Sequence, residues 1–548
     1  MATIRIGDLL KAKGLINDRQ LRIALTHQKI TGDLLGDALI KLGFVSAKEM
    51  ARILAEQSGI EFVDLALFPV ADEALRAVPK DIAEKTGFMP LTLENGRLAI
   101  GVTNPSNILA VDTATRLTKQ QPRVFMVDTS RFNDTMERAY FFLENPIQKR
   151  IDAVIGEIRE TAAASGSNVT LLSDLLIMDG IRKNSTDIHI TPAADIVHVF
   201  YRVDGVLQYG HGLPKAAHSG VASRLKILSQ LDIAEQRLPQ DGSFTFTFLS
   251  RKYDVRISTI PSIYGENIVM RVLAGTGDLP RIEELGFDPE NTAKIKTLFR
   301  KPYGIILITG PTGSGKTTTL YAALREVDLL ERNVITVEDP VEYKVNFIKQ
   351  TQVNEKAGYD FALASRNFMR QDPDVMLLGE IRDEETAKIA VRASITGHLV
   401  ISTLHTNDAV TAIPRLMDLN VDRFLMSSSL LAVMAQRLVR KICSHCRTEY
   451  ALDAEDAAVF REYGFSFEKG FRGAGCPRCN GTGYSGRTVI GEIMIIDDEI
   501  RELIYAAASI NAIKEASIRK GMRPLKEDAV RKAAEGITTL EEVARVAG

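Results

Sequence analysis

Apolar and polar positions alternate with a different period in each part of this chain, and the changes of period outline its domains. In residues 1–60 apolar residues return at three- and four-residue steps, the mark of amphipathic helices. The pattern repeats: Arg5-Ile6-Gly7-Asp8-Leu9-Leu10, Gly14, Leu21, Leu25 and Gln28 recur 29 positions later as Leu34-Leu35-Gly36-Asp37-Ala38-Leu39, Gly43, Met50, Leu54 and Gln57. A glycine closes the first helix of each copy, so two helical hairpins packed on each other are predicted. Residues 61–145 mix short strands with helices, and Glu94-Asn95-Gly96 between two apolar runs predicts a β-hairpin in a small α/β subdomain. Residues 146–169 are charged and amphipathic and then run into Ala162-Ala163-Ala164-Ser165-Gly166-Ser167; they are expected to be a linker. In residues 170–280 a helix precedes strands of strict alternation at Asp187–Ile190, Val197–Arg202, Phe244–Phe248 and Asp254–Ser258, which predicts an α+β domain. Residues 286–548 form a further α/β domain.

One stretch of that last domain carries chemistry. The apolar run Gly304-Ile305-Ile306-Leu307-Ile308-Thr309 reads as a buried strand. It is followed by Gly310-Pro311-Thr312-Gly313-Ser314-Gly315-Lys316-Thr317 and then by helix-prone Thr318-Thr319-Leu320. Strand, glycine-rich turn and helix, in that order, bring backbone N–H groups and a helix N-terminus to one anion. Lys316 would bridge the β- and γ-phosphates of a nucleotide and the Thr317 hydroxyl would hold Mg²⁺. Downstream, two more apolar runs end in acids: Val334-Ile335-Thr336-Val337-Glu338-Asp339 and Val375-Met376-Leu377-Leu378-Gly379-Glu380. Carboxylates at the carboxyl ends of parallel strands lie where open α/β sheets bind ligands. Gly379 stands where many nucleotide hydrolases have aspartate, leaving Glu380 to act. A third run, from Thr396 to Asn407, carries His398 and His405.

Composition adds limits. At 548 residues the chain exceeds what one core supports, so several domains are expected. Its 68 basic and 70 acidic residues balance, giving no support to a nucleic-acid coat. No apolar run reaches the roughly 18–20 residues that span a bilayer. Arg5 and Asp8 interrupt the apolar start of the chain, so no signal-peptide core is expected and a cytoplasmic location is. The four cysteines form two Cys-x-x-Cys pairs, Cys443/Cys446 and Cys476/Cys479, with 29 residues between the pairs. That spacing suits a structural Zn²⁺ held by four thiolates, the alternative being two disulfides.

Taken together, the phosphate loop, the acidic box Thr336-Val337-Glu338-Asp339-Pro340-Val341-Glu342, the segment Gly379-Glu380-Ile381-Arg382-Asp383 and the histidine segment resemble the type II secretion and type IV pilus assembly ATPases (GspE/PilB). The resemblance extends to Ser185-Thr186-Asp187-Ile188-His189, Arg202-Val203-Asp204-Gly205 and Pro239-Gln240-Asp241-Gly242 and runs from about residue 170 to the end. It implies a multidomain α/β fold in which a PAS-like second domain is joined to a RecA-like ATPase domain, in a homo-hexamer with ATP between the two. It further implies that Arg256, Arg271, Arg366 and Arg370 gather at the phosphates. Glu338 would orient or deprotonate the attacking water, Glu380 would assist Mg²⁺ and water, and the division between them stays open. His405 would sense the γ-phosphate with His398 beside it, and Leu285 and Phe287 would line the adenine pocket. Gly310, Pro311, Thr312, Gly313, Ser314, Gly315, Lys316, Thr317 and Thr318 make up the nucleotide cradle.

The N-terminal repeat is similar to the MshE-type domain, in which such motifs bind cyclic di-GMP. Carried over, the contacts would be Arg5, Gly7, Leu10, Gly14 and Gln28 with Leu35, Gly36, Leu39, Gly43 and Gln57; Leu34 replaces a second arginine, and a plain helical docking module is the competing reading. The expected partners are an inner-membrane platform protein and other cytoplasmic parts of the machine, with the ATPase peripheral at that membrane and no direct nucleic-acid contact. A cysteine insert points to extension or secretion and away from retraction. A DNA- or protein-translocating motor of the wider superfamily is the alternative function.

Overall fold

The computed structural model describes residues 5–66, 68, 70–161, 165–274 and 279–548. The chain divides into two units, 1–278 and 279–548. The first opens with the repeat, as helices α1 (Ile6–Ala12), α2 (Asp18–Thr31), α3 (Leu35–Lys41) and α4 (Ala47–Ser58). Gly14 and Gly43 follow α1 and α3 in the left-handed region, at φ +67° and +76°, where a side chain is strained. The repeat also holds a device the apolar pattern does not reveal. Asn17 with Gln20, and 29 positions later Ser46 with Glu49, form capping boxes at the starts of α2 and α4. Each such cap contributes about 1 kcal/mol to its helix.

The small subdomain is a four-stranded sheet of β1 (Glu61–Phe62), β2 (Phe88–Glu94), β3 (Arg97–Val102) and β4 (Arg123–Met126), in the order β1-β4-β3-β2. Asn95 and Gly96 both have positive φ, which is the hairpin geometry that their dipeptide predicts.

The stretch expected to be a linker is mostly structured. Ile147–Thr161 is a helix that buries Ile147, Ile151, Val154, Ile155 and Ile158 in the core of the neighbouring domain. Burial of such side chains stabilises by about 1.5–3 kcal/mol each, so this helix belongs to the domain it covers. The charged residues that suggested a linker lie on its outer side; Ala162, Ala163 and Ala164 fall outside the described residues. A second helix, Gly166–Arg182, continues that layer.

Both helices pack on one face of an antiparallel sheet formed by β5 (Asp187–Pro192), β6 (Ile196–Val203), β7 (Val206–Pro214), β8 (Gln240–Phe248), β9 (Arg251–Ser262) and β10 (Gly265–Ala274), ordered β7-β6-β5-β10-β9-β8. Ile188, Ile190, Val197, Val199, Tyr201, Val255, Ile257, Ile268 and Met270 point into that core, and the residues between them face the other way.

The second unit is built on a seven-stranded sheet. Its strands are β11 (Gly304–Thr309), β12 (Val334–Glu338), β13 (Ile348–Gln352), β14 (Val375–Leu378), β15 (Leu399–Leu404), β16 (Leu430–Ile442) and, after the small hairpin β17 (Arg447–Ala451) and β18 (Lys469–Gly473), β19 (Tyr484–Ile495). The order is β13-β12-β14-β15-β11-β16-β19, parallel except for β16 against β19. Every residue of β11 is buried, as expected for a strand covered on both faces, and its run of isoleucines follows from that. The phosphate-loop segment therefore leaves the carboxyl end of a strand near the middle of the sheet, where helix N-termini converge.

Candidate active site

The loop Gly310–Gly315 joins β11 to the helix Lys316–Leu324, and Gly315 enters that helix at φ +86°. Lys316 Nζ donates to Gly310 O at 2.7 Å and Pro311 O at 3.2 Å, which folds its chain over the mouth of the loop. Burial lowers the Lys316 pKa, Glu380 opposes that shift and Arg437 adds to it. Thr317 is exposed at the first turn and Thr318 is half-buried.

Glu380 follows β14 and lies across from the histidine loop: His405 Nε2 is 3.2 Å from Glu380 Oε2, and Arg382 pairs with the other oxygen. Although burial raises the Glu380 pKa, Arg382 and His405 more than offset it, so the carboxylate is held charged. The absence of aspartate at position 379 has a packing cause. A Cβ there would stand 3.1 Å from Val337 O and from the Phe361 ring, and 3.4 Å from Glu338 Cα. Glycine lets β14 end against the backbone of β12, so Glu338 and Glu380 leave adjacent strands side by side.

Glu338 is buried. Both its oxygens accept from the Tyr321 hydroxyl, at 2.6 and 2.7 Å, and Oε1 also accepts from Thr336 Oγ1 at 2.7 Å. Burial raises its pKa despite these donors. A carboxylate poised above its usual range is a better base, the property wanted in a group that takes a proton from water. Tyr321, on the loop's own helix, belongs to no motif in the sequence; it lies 17 residues from Glu338, and nothing in that spacing signals a contact.

The other expected residues are placed as follows. His398 precedes β15 and His405 follows it, so the strand places them at opposite ends, about 23 Å apart at roughly 3.3 Å per residue. His398 Nδ1 instead faces Ala393 O at 2.8 Å and Thr396 Oγ1 at 3.2 Å, capping the preceding turn. Phe287 is 7 % exposed and its ring packs on Gly491 within the core, leaving little of it for a ligand; Leu285 is half-buried and its carbonyl accepts from Val489 N at 3.1 Å. Arg366 pairs with Glu385 and Arg370 donates to Asn367, so their described bonds do not draw them to the loop. In the first unit, Arg256 and Arg271 are register partners on β9 and β10, and Arg271 Nε donates to Asp187 Oδ1 at 3.0 Å, with Arg202 on the same carboxylate at 3.7 Å.

The histidine loop is fixed from three sides. Thr309 Oγ1, at the end of β11, lies 2.7 Å from Thr406 Oγ1 and accepts from Thr406 N at 2.8 Å. Arg437 Nη2 donates to Asn407 O at 2.7 Å, and Ala409 N donates to buried Glu492 at 2.7 Å.

The four cysteines are free and converge. Sγ separations of 3.9 Å (Cys443–Cys476), 3.8 Å (Cys446–Cys479) and 3.7 Å (Cys476–Cys479) match the edge of about 3.8 Å that a tetrahedron of roughly 2.3 Å metal–sulfur bonds requires. Cys479 Sγ accepts from Cys476 N and Gly483 N, each at 3.2 Å. Burial raises its pKa, but these donors prevail and hold the thiol at about 7. The disulfide alternative is not met.

Among the residues carried over for cyclic di-GMP, Leu10 and Leu39 are fully buried and Gly7 is buried under Leu21. Arg5, Gln28, Leu35, Gly36 and Gln57 keep exposed or half-exposed surface.

A glycine-rich loop at the end of an interior parallel strand, with a lysine, two strand-end carboxylates and a histidine beside it, defines a P-loop nucleotide hydrolase. The family description Type II/IV secretion system protein matches residues 154–545, and the chain belongs to that family; it is one of its ATPases. An MshEN domain matches residues 58–143, so the matched span is the small α/β subdomain and nearly all of the helical repeat precedes it. The type IV pilus assembly ATPase PilB of Myxococcus xanthus is 39% identical, covering 98% of each chain. PilB of Thermus thermophilus is 41% identical over 94% of this chain, which spans 59% of that relative's length. The type II secretion system ATPase E of Vibrio cholerae is 46% identical over 68% of this chain and 74% of its own. The X-ray structure of the Legionella pneumophila ATPase DotB shares the fold, with a TM-score of 0.50 at 21% identity over 68% of this chain and 94% of that one.

Proposed function

We propose that this chain is the assembly motor of a type IV pilus or a type II secretion pseudopilus, working as a ring of six copies on the cytoplasmic side of the inner membrane and turning a platform protein there. The observation that carries the reading is the convergence of Lys316, Glu380 and His405 at the carboxyl end of one sheet, in a chain similar along its whole length to an assembly ATPase. We read the six-stranded domain as PAS-like and the second unit as RecA-like. Bound Mg²⁺ would neutralise charge on the phosphates, with Thr317 as its ligand. Lys316 holds the β- and γ-phosphates, Glu338 takes a proton from the attacking water, Glu380 orients that water, and His405 reads the terminal phosphate. Arg256 and Arg271, from the first unit, are the guanidinium groups brought up on closure, and Arg366 and Arg370, in the loop's own unit, join them by turning from Glu385 and Asn367; such donors are worth about 10³–10⁵ in rate. The Cys443, Cys446, Cys476 and Cys479 cluster holds a structural Zn²⁺, leaving no open position for catalysis.

The experiment is phosphate release by the purified chain with and without the cytoplasmic domain of the platform protein, and with DNA. Stimulation by the platform domain and abolition of turnover by Lys316→Ala are expected. Stimulation by DNA alone would favour the translocating motor, and turnover unchanged in Lys316→Ala would remove the nucleotide assignment.

Cyclic di-GMP is proposed as a regulator at the helical repeat, supported by the duplicated hairpins with their matching caps. Calorimetric titration of the full chain tests it; no heat at micromolar ligand refutes it.

A further inference from the structure

Arg437 stands beside the phosphate loop with both described hydrogen bonds on backbone carbonyls: Nη1 on Gln436 O at 3.2 Å and Nη2 on Asn407 O at 2.7 Å. Gln436, one residue earlier on β16, is fully buried and donates through Nε2 to Ser314 O at 2.7 Å inside the loop. Its carbonyl lies 2.6 Å from where a Cβ on Gly310 would stand. The guanidinium therefore ties the Gln436 carbonyl, which is packed against the first glycine of the phosphate loop, to the segment two residues past His405. Lys316 Nζ, which donates to Gly310 O, is its cationic neighbour, and the two repel each other.

The acids near Arg437 are committed elsewhere. Glu492 accepts from Ala409 N at 2.7 Å and Leu525 N at 3.0 Å, and Asp408 accepts from Thr411 N at 2.8 Å. A half-buried arginine beside a lysine, with carbonyls where a carboxylate partner would be, is arranged for an anion between them.

We propose that Arg437 binds an oxygen of the nucleotide's terminal phosphate, from the same chain and the same domain as the phosphate loop. The proposal rests on the reading of that loop as an ATP site. It differs from the roles given to Arg256 and Arg271, which need closure, and to Arg366 and Arg370, which are bonded to Glu385 and Asn367, because β16 fixes Arg437 at the loop. Its bond to Asn407 O also gives the terminal phosphate a route to the histidine loop: a guanidinium drawn toward phosphate changes the hold on the segment that carries His405.

The test uses the full-length chain, titrated with MgADP and with a non-hydrolysable Mg-triphosphate analogue. Arg437→Ala should weaken the analogue about tenfold or more, the loss of a hydrogen bond to a charged group, and ADP by less than about threefold. Arg437→Gln keeps an N–H for Asn407 O but no charge, and serves if the alanine variant does not fold; it should behave as Arg437→Ala does. Wild-type affinity for the analogue in Arg437→Gln, or equal weakening of ADP and analogue, would mean that Arg437 only props the loop and would overturn the proposal. A parent protein that binds neither nucleotide would instead refute the ATP-site reading.

Discussion

Tyr321 and Glu338 share one proton donor between two acceptors: the phenol oxygen lies 2.6 and 2.7 Å from the two carboxylate oxygens. Burial, with the adjacent carboxylate second, pushes the Tyr321 pKa far up, so the phenol remains a donor throughout the working pH range. The phosphate-loop helix thereby holds the acid that ends β12. Tyr321→Phe removes the largest of the donors that oppose burial at Glu338, leaving Thr336 and Gln350, and raises its pKa further. Turnover that needs the ionised carboxylate should then fall first at the acid end, and the acid limb of the kcat profile should move to higher pH.

Glu338→Gln separates chemistry from stability. Loss of a general base should lower kcat by about 10²-fold or more. Because the folded pKa is raised above the unfolded value, the stability this group contributes is full below the unfolded carboxylate range and is lost as pH rises through the folded value. The neutral amide lacks that loss. Thermal midpoints at pH 7 to 8 should be higher for Glu338→Gln than for the parent, with the difference vanishing in acid.

The cysteine cluster predicts about one zinc per chain by elemental analysis. Cys479→Ser removes the thiolate that two backbone N–H groups support, and should release the metal. The thermal midpoint of the second unit should drop by about 5 °C or more, since a structural metal's binding energy is folding energy.

Ile151 is fully buried under the six-stranded sheet. Ile151→Ala should cost about 2–4 kcal/mol in denaturant unfolding of the first unit, the range for a cavity in a packed core. A linker would tolerate the change without loss.

The loop and its strand were legible because close backbone approach to phosphate demands glycines in a fixed pattern, and a strand covered on both faces must be apolar throughout. The helical repeat was legible from period alone. Ile147–Thr161 has the composition of a linker because its charged face dominates, while its five buried residues stand out only when spaced around a helix. His398 and His405 look like a pair along the chain and are divided by the strand between them. Tyr321, Thr309 and Arg437 left no trace, since their partners Glu338, Thr406 and Asn407 lie 17, 97 and 30 positions away. Such contacts are set by strand order, and β16 beside β11 cannot be inferred from local pattern.

β16 has one further consequence. Gln436 supports the phosphate loop from below, and seven residues on, about 23 Å at strand spacing, the same strand delivers Cys443 to the cysteine cluster. Ten cross-strand partners tie it to β19, which returns from that cluster. The cysteine cluster and the phosphate loop therefore lie toward the two ends of one strand pair, with a register shift between Arg440 and Ile442. Any displacement of the cysteine cluster along this strand would be passed toward Gln436 and, through its bond to Ser314 O, to the phosphate loop.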